Sequence, residues 1–118
     1  MEVQIFGVRN DADTRKALRF FSERRIKTHF VDLKERAASK GELRRFVERF
    51  GVDAVVDRSS KRLAALGLQR AFYGPDRWLD ILAEEPLLLK TPLVRYQQKV
   101  TIGSAEEVWQ EWVDAETK

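Results

Sequence analysis

Cysteine is absent from this 118-residue sequence, and that absence excludes several kinds of chemistry at the outset. A chain without cysteine can form no disulfide, no thiolate nucleophile and no thiolate–metal bond. Histidine is nearly absent as well, because His29 is the only one. No cluster of ligating residues is spaced around His29 for a metal, so we expect an ordinary strand residue and no metal site.

Long apolar runs and several common functional motifs are also missing. No stretch reaches the roughly 18 apolar residues of a membrane span, and the first residues lack the basic and then apolar pattern of a signal peptide. Neither a phosphate-cradling glycine loop nor a Ser-His-Asp arrangement is present. With 43% hydrophobic and 35% charged residues, the chain is expected to be a globular, cytoplasmic protein with a single domain at 1–118.

The two signs of charge are nearly balanced, and the net charge is +3. Residues 1–50 carry 13 basic and 8 acidic side chains, a net charge of +5, whereas residues 51–118 carry 9 and 11, a net charge of −2. A basic half can favour an acidic protein surface or nucleic acid. Because its basic residues are interleaved with acids and no basic run carries aromatics, we expect solvated helices and no direct nucleic-acid binding.

Hydrophobic spacing predicts the element order β-α-β-α, then a helical middle, then β-β-α. The predicted strands lie at 2–8, at 28–33, within 87–97 and at 99–103. The predicted helices lie at about 13–25, from a capping box at 39–42 to Gly51, from 61 to Gly67, from Pro75 onward, and after a second capping box at Ser104 and Glu107. The apolar stripes predicted to face the core include Phe50, Trp78, Val108, Trp109 and Trp112.

The connections between these elements predict the topology of the sheet. A crossover helix joins the first two strands, which should therefore be parallel. The short Gln97–Lys99 connection favours antiparallel pairing of the last two strands. The expected fold is α/β and thioredoxin-like, with a four-stranded mixed sheet, flanking helices and a helical insertion at about 39–85.

The segment GVRNDADTRKALRFFSERRIKTHFVDLKE, residues 7–35, resembles the N-terminal segment of the arsenate reductase-like (ArsC/Spx) family, which includes Spx-type transcriptional regulators. The resemblance continues through LGL at 66–68, EEPLLLKTPLV at 84–94 and the IG before the final helix. Its most specific parts are TRKALRFF and LLLKTP. The resemblance implies a thioredoxin-like fold with its functional site at the start of the first helix.

This sequence departs from the family pattern at the residues that carry the family's chemistry. Asp11 stands where the family has its nucleophilic cysteine, and Thr14 stands where Spx-type members have a second cysteine. An aspartate gains the same stabilisation from a helix N-terminus as a thiolate does, but it cannot form a sulfur–arsenic bond. Thr91 precedes Pro92, where reductases of this family often place an oxyanion-binding arginine, and the resemblance implies a cis Thr91–Pro92 bond. Arg58 is matched loosely to the family's mid-chain arginine.

Three interpretations of Asp11 stay open from the sequence. The carboxylate can cap the first helix, it can be a fixed charge that a partner reads in place of a thiolate, or it can be a catalytic acid or base. A general base needs a partner within hydrogen-bond reach, and only Arg9, Arg15 and Lys16 stand nearby.

The resemblance therefore leads to a binding or regulatory module, a degenerate member of the family without cofactors and without the cysteine switch of Spx. Spx-type relatives bind the C-terminal domain of the RNA polymerase α-subunit, so a protein partner of that kind is expected. The alternative is an enzyme that applies an external thiol such as glutathione to an oxyanion. In that case Asn10, Thr14, Arg15 and Thr91 would bind the oxyanion or the thiol. A structural remnant without separate activity is the third possibility.

Overall fold

A computed structural model describes residues 1–117 of the chain. Its strands are β1 (Glu2–Gly7), β2 (Lys27–Asp32), β3 (Leu93–Tyr96) and β4 (Lys99–Ile102). Its α-helices are α1 (Ala12–Glu23), α2 (Lys40–Phe50), α3 (Val52–Val55), α4 (Lys61–Ala65), α5 (Pro75–Glu84) and α6 (Glu106–Glu116), and a 3₁₀ turn covers Pro86–Leu88. The helices α2 to α5 form the predicted insertion.

The strands form one mixed sheet in the order β2-β1-β3-β4. Strand β1 runs parallel to β2 and antiparallel to β3, and β3 pairs with β4 through a two-residue hairpin turn. Gln97 in that turn has a φ of +55°. The predicted α/β class, parallel first pair and antiparallel last pair are all confirmed.

Alternation along β1 divides the core into two layers, as expected for a sheet covered on both faces. Val3 and Ile5 pack with α1 and α6 in one hydrophobic cluster, whereas Phe6 packs with the helices of the insertion in the other. Trp78, Trp109 and Trp112 are buried, as predicted. Helices therefore cover both faces of the sheet. The loops that follow β1 and precede β3 lie at the end of the sheet where β1 ends.

Helix α2 begins at the predicted capping box. Ser39 Oγ accepts from the Glu42 backbone N–H, and a Glu42 carboxylate oxygen accepts from the Ser39 backbone N–H. The Arg36 guanidinium donates to both Glu42 oxygens at 3.1 Å and lowers the pKa of that carboxyl to about 2. The capping box and its arginine thus fix the first turn of the insertion to the loop before it.

Three sequence predictions about the helices are wrong. The second capping box does not form, because α6 begins at Glu106 with the half-buried Ala105 as its N-cap, so Ser104 lies outside the helix. Phe50 is 37% exposed, since it is the last residue of α2 and Gly51, at a φ of +85°, turns the chain away from the core. Val108 is 38% exposed on the first turn of α6.

None of the helices in residues 1–117 combines the length and the apolar character needed to cross a membrane.

Candidate functional site

The candidate site lies at the N-terminus of α1, where β1 ends. The loop that enters β3 reaches the same point and carries Thr91 and Pro92, joined by a cis peptide bond as the resemblance implies. Asp11 has extended backbone angles and is the N-cap of α1. Asp11 therefore caps α1, as the first of the three interpretations requires.

The carboxylate oxygen Oδ2 of Asp11 is the centre of this site. It accepts three hydrogen bonds: from the Thr14 backbone N–H at 3.0 Å, from Thr14 Oγ1 at 2.7 Å and from Thr91 Oγ1 at 2.9 Å. The last bond joins residues that are 80 positions apart in sequence. One carboxylate oxygen thus ties the start of α1 to the loop before β3.

Thr14 is placed against the end of β1 by a close approach of the backbone. Its side chain is fully buried, and a Cβ added at Gly7 would lie 2.4 Å from Thr14 Oγ1. Only glycine leaves room there. The first turn of the helix can consequently come close enough to the strand for the Thr14 side chain to be buried against Gly7.

An open cleft of about 560 Å³ adjoins Asp11. The charged residues that line it are Asp11, Asp13, Asp57 and Lys90. Three carboxylates against one ammonium give the cleft an excess of negative charge, which disfavours an anionic ligand. No group of three or more histidine or carboxylate residues within 1–117 is arranged to hold a metal ion.

The other predicted site residues lie at different distances from this cleft. Asn10 lines a smaller neighbouring pocket of about 260 Å³ together with Asp11, Asp57 and Thr91. The exposed Arg15 guanidinium donates to the Arg9 carbonyl at 3.0 Å. Pro92 is buried beside the site. The structure therefore brings Asn10, Asp11, Thr14, Thr91 and Pro92 together at one end of the sheet.

Arg58 is placed elsewhere. Its guanidinium pairs with Asp53 at 3.0 Å and lies 5.1 Å from the centre of the Trp78 ring, where it lines a separate groove. It is absent from the residues that line the Asp11 cleft. In this structure no arginine takes part in lining that cleft, within the part of the chain described.

The sequence did not predict Asp57 or Phe50 as lining residues of the cleft. Asp57 reaches the cleft because Val56 forms an isolated bridge with Leu89 and the Asp57 N–H donates to the Leu88 carbonyl at 2.8 Å. These are long-range pairings that local spacing does not reveal. Phe50 was assigned to the core by its helical period and instead forms an exposed wall of the cleft.

The single histidine is a strand residue, as expected, and its side chain is exposed. His29 Nε2 lies 3.1 Å from the Glu2 carboxylate, and this contact, followed by that with Lys27, lowers the pKa of the Glu2 carboxyl. Both side chains are more than half exposed and lie on strands β1 and β2 away from the Asp11 cleft.

Comparisons with known proteins agree with this architecture. A model of the ArsC family matches residues 6–112. The Bacillus subtilis (strain 168) protein YusI is 30% identical over 101 residues, which are 82% of this chain and 86% of YusI. A Haemophilus influenzae protein is 26% identical over 109 residues, which are 92% of this chain and 96% of the Haemophilus protein.

Solved structures are similar in the same way. An arsenate reductase from Vibrio cholerae superposes with a TM-score of 0.81 at 23% identity, over 94% of this chain and 97% of that one. At this identity the likeness bears on the fold alone, and it confirms the predicted thioredoxin-like arrangement.

Proposed function

This chain belongs to the ArsC family, and we propose that it is a catalytically degenerate member that acts as a binding or regulatory module. The observation that carries the proposal is the bonding of Asp11. At this position, where the resemblance implies the family's thiol, the chain has a carboxylate whose oxygen already accepts three hydrogen bonds from the chain itself.

A helix N-terminus is an anion site because its first N–H groups have no partners within the helix. In this chain the Thr14 N–H and the hydroxyls of Thr14 and Thr91 are donated to Asp11. An arriving arsenate or phosphate would have to compete with a covalently held carboxylate for these donors. The site therefore supplies its own anion, which supports a role other than oxyanion chemistry.

The charges around Asp11 support the same proposal. Asp13 and Asp57 add two further carboxylates to the cleft, and Lys90 is its one cation among the lining residues. The chain has no sulfur nucleophile to attack an oxyanion. Binding of a macromolecular partner needs neither a thiol nor an anion pocket, so it is the role that this surface can still perform.

We propose a protein as the partner, in the cytoplasm, and the C-terminal domain of the RNA polymerase α-subunit is the first candidate by analogy with Spx-type members of the family. The basic first half of the chain is compatible with an acidic protein surface.

The test combines a partner titration with an activity assay. The purified C-terminal domain of the polymerase α-subunit is titrated into the ¹⁵N-labelled protein, and saturable shifts of a contiguous surface support the module. Arsenate is then incubated with the protein and glutathione, beside a sample without protein. Arsenate turnover above the protein-free sample contradicts the proposal and favours the external-thiol enzyme.

A further inference from the structure

A second concave surface, separate from the Asp11 cleft, lies between the end of α2 and the start of α5. It is a groove of about 350 Å³. Its aromatic walls are formed by Phe50, Phe72, Tyr73 and Trp78. Phe50 also lines the Asp11 cleft, so the two surfaces are neighbours.

Phe72 is the most unusual residue of this groove, because its side chain is 100% exposed. A fully solvated phenylalanine gains nothing from folding, and apolar surface of this kind marks interaction sites when it adjoins other apolar walls. Phe50, exposed by 37%, adds to the same surface. Together the two rings offer an apolar seat that the chain itself leaves uncovered.

Arg58 holds the segment that presents Phe72. Its guanidinium donates to the carbonyl of Gln69 at 3.2 Å and to that of Ala71 at 3.4 Å, and it pairs with Asp53 at 3.0 Å. The loop at 69–73 is thus tied to α3 through one side chain. A braced loop loses less conformational entropy when a partner binds than a free one does.

Three unpaired arginines lie on the segments that form the groove. The guanidinium of Arg49 lies 5.1 Å from the centre of the Phe50 ring, that of Arg77 lies 4.4 Å from the Tyr73 ring, and Arg70 belongs to the loop. Within residues 1–117 none of these three arginines forms an ion pair.

The nearby acids do not cancel this charge. Asp53 is paired with Arg58, and Asp76 is paired with Arg44. Glu48, beside Arg49 in the last turn of α2, forms no ion pair within residues 1–117. Three unpaired arginines against this one acid leave the rim with an excess of positive charge, which an acidic partner would complement.

We propose that this groove docks an acidic peptide segment of a partner protein, with one apolar side chain of that segment seated between Phe50 and Phe72. The inference rests on the proposed function as a binding module and adds the surface and the chemistry of the partner. Apolar walls that take one side chain, inside a rim of guanidinium groups, match a short acidic sequence with a hydrophobic anchor.

A fluorescein-labelled decapeptide tests the proposal directly. The peptide consists of glutamates with a central Leu-Phe pair, and its anisotropy is followed as the protein is added at low salt. We expect saturable binding that Phe72→Ala weakens by about tenfold or more. The double variant Arg70→Gln/Arg77→Gln should weaken binding as well, and the loss should shrink as salt is added.

Matched controls separate this surface from general stickiness. Val108→Ala removes a different exposed apolar side chain and Arg19→Gln a different exposed arginine, so both should bind the peptide as the wild type does. Because Phe72 is fully exposed, its variant should melt at the wild-type temperature.

Several results would overturn the inference. The inference is wrong if the wild type does not bind the acidic peptide, or if Phe72→Ala binds that peptide as tightly as the wild type does. It is also wrong if the wild type binds a lysine peptide with the same Leu-Phe pair equally well, or binds a single-stranded oligonucleotide more tightly than the acidic peptide. Self-association that Phe72→Ala abolishes would assign the groove to a second copy instead. Failure of the proposed function has a different signature, namely arsenate turnover, which none of these peptide measurements reports.

Discussion

Replacing Asp11 by alanine removes the acceptor of three hydrogen bonds at once, two of them from Thr14 and one from Thr91. The loss of a helix N-cap costs about 0.5–2 kcal/mol. The Thr14 hydroxyl, which is fully buried, would then have lost its acceptor, and an unsatisfied buried donor costs about 1–3 kcal/mol. We expect Asp11→Ala to lower the free energy of unfolding by about 2–4 kcal/mol.

Urea unfolding followed by circular dichroism measures this loss. With a urea dependence of about 2 kcal/mol per molar, the middle of the range for small proteins, the midpoint should fall by about 1–2 M. Asp11→Asn keeps an oxygen at the cap and loses the charge, which is worth about 0.3–1 kcal/mol near a helix N-terminus. Its midpoint should therefore lie between those of Asp11→Ala and the wild type.

Asp13→Ala is the matched control, because Asp13 is also an acid in the first turn of α1 and lines the same cleft. It should cost only the interaction with the helix dipole, about 0.3–1 kcal/mol. Equal losses for the two alanine variants would refute the reasoning, since they would show that the three hydrogen bonds to Asp11 contribute nothing beyond its charge.

Four further substitutions should alter the free energy of unfolding, or its dependence on pH, in stated directions. Gly7→Ala should destabilise the protein in urea unfolding, because the new Cβ would lie 2.4 Å from the buried Thr14 Oγ1. Gly41→Ala is its control: the new Cβ would have no contact closer than 3.9 Å, so this variant should be more stable than the wild type by about 0.4–1 kcal/mol. Thr101→Val should cost about 1–3 kcal/mol in urea unfolding, because the buried Trp109 indole N–H donates to its hydroxyl at 2.8 Å; an unchanged midpoint would contradict this. Since the pKa of Glu42 is lowered to about 2 from 4.5, its stabilisation should be present above about pH 4.5 and be lost as the pH falls towards 2. Glu42→Gln should weaken that dependence on pH. The free energy of unfolding is measured for both proteins from pH 7 to pH 2, and equal losses of stability in the two proteins over this range would contradict the prediction.

The sequence was sufficient for the sheet and for most of its packing. Alternating and helical hydrophobic periods located the strands and the core helices, and chain connectivity set their directions, because these properties depend on neighbours along the chain. The same Ser-x-x-Glu pattern, however, forms a capping box at Ser39 and fails at Ser104. At Ser104 the packing of Ala105 against the core moves the helix start, which local propensity cannot indicate.

The candidate site was foreseen in part. The resemblance directed attention to Asp11, Thr14 and Thr91, and the structure brings these residues together, but the bond between Asp11 and Thr91 depends on the fold. Asp57 was missed because it lies at the cleft through a long-range backbone hydrogen bond, from the Asp57 N–H to the Leu88 carbonyl. Phe50 was missed because its helix ends there, so the period that buries its neighbours no longer applies.

The most direct test of the self-supplied anion at Asp11 is an NMR titration of the ¹⁵N-labelled wild-type protein with arsenate at constant ionic strength. We predict that the backbone amides of residues 10–15 show no saturable shift, because the Asp11 carboxylate accepts from the Thr14 N–H and both threonine hydroxyls, and Asp13 and Asp57 add negative charge to the cleft. Saturable shifts confined to these amides would contradict the claim, since they would show that an oxyanion displaces the carboxylate.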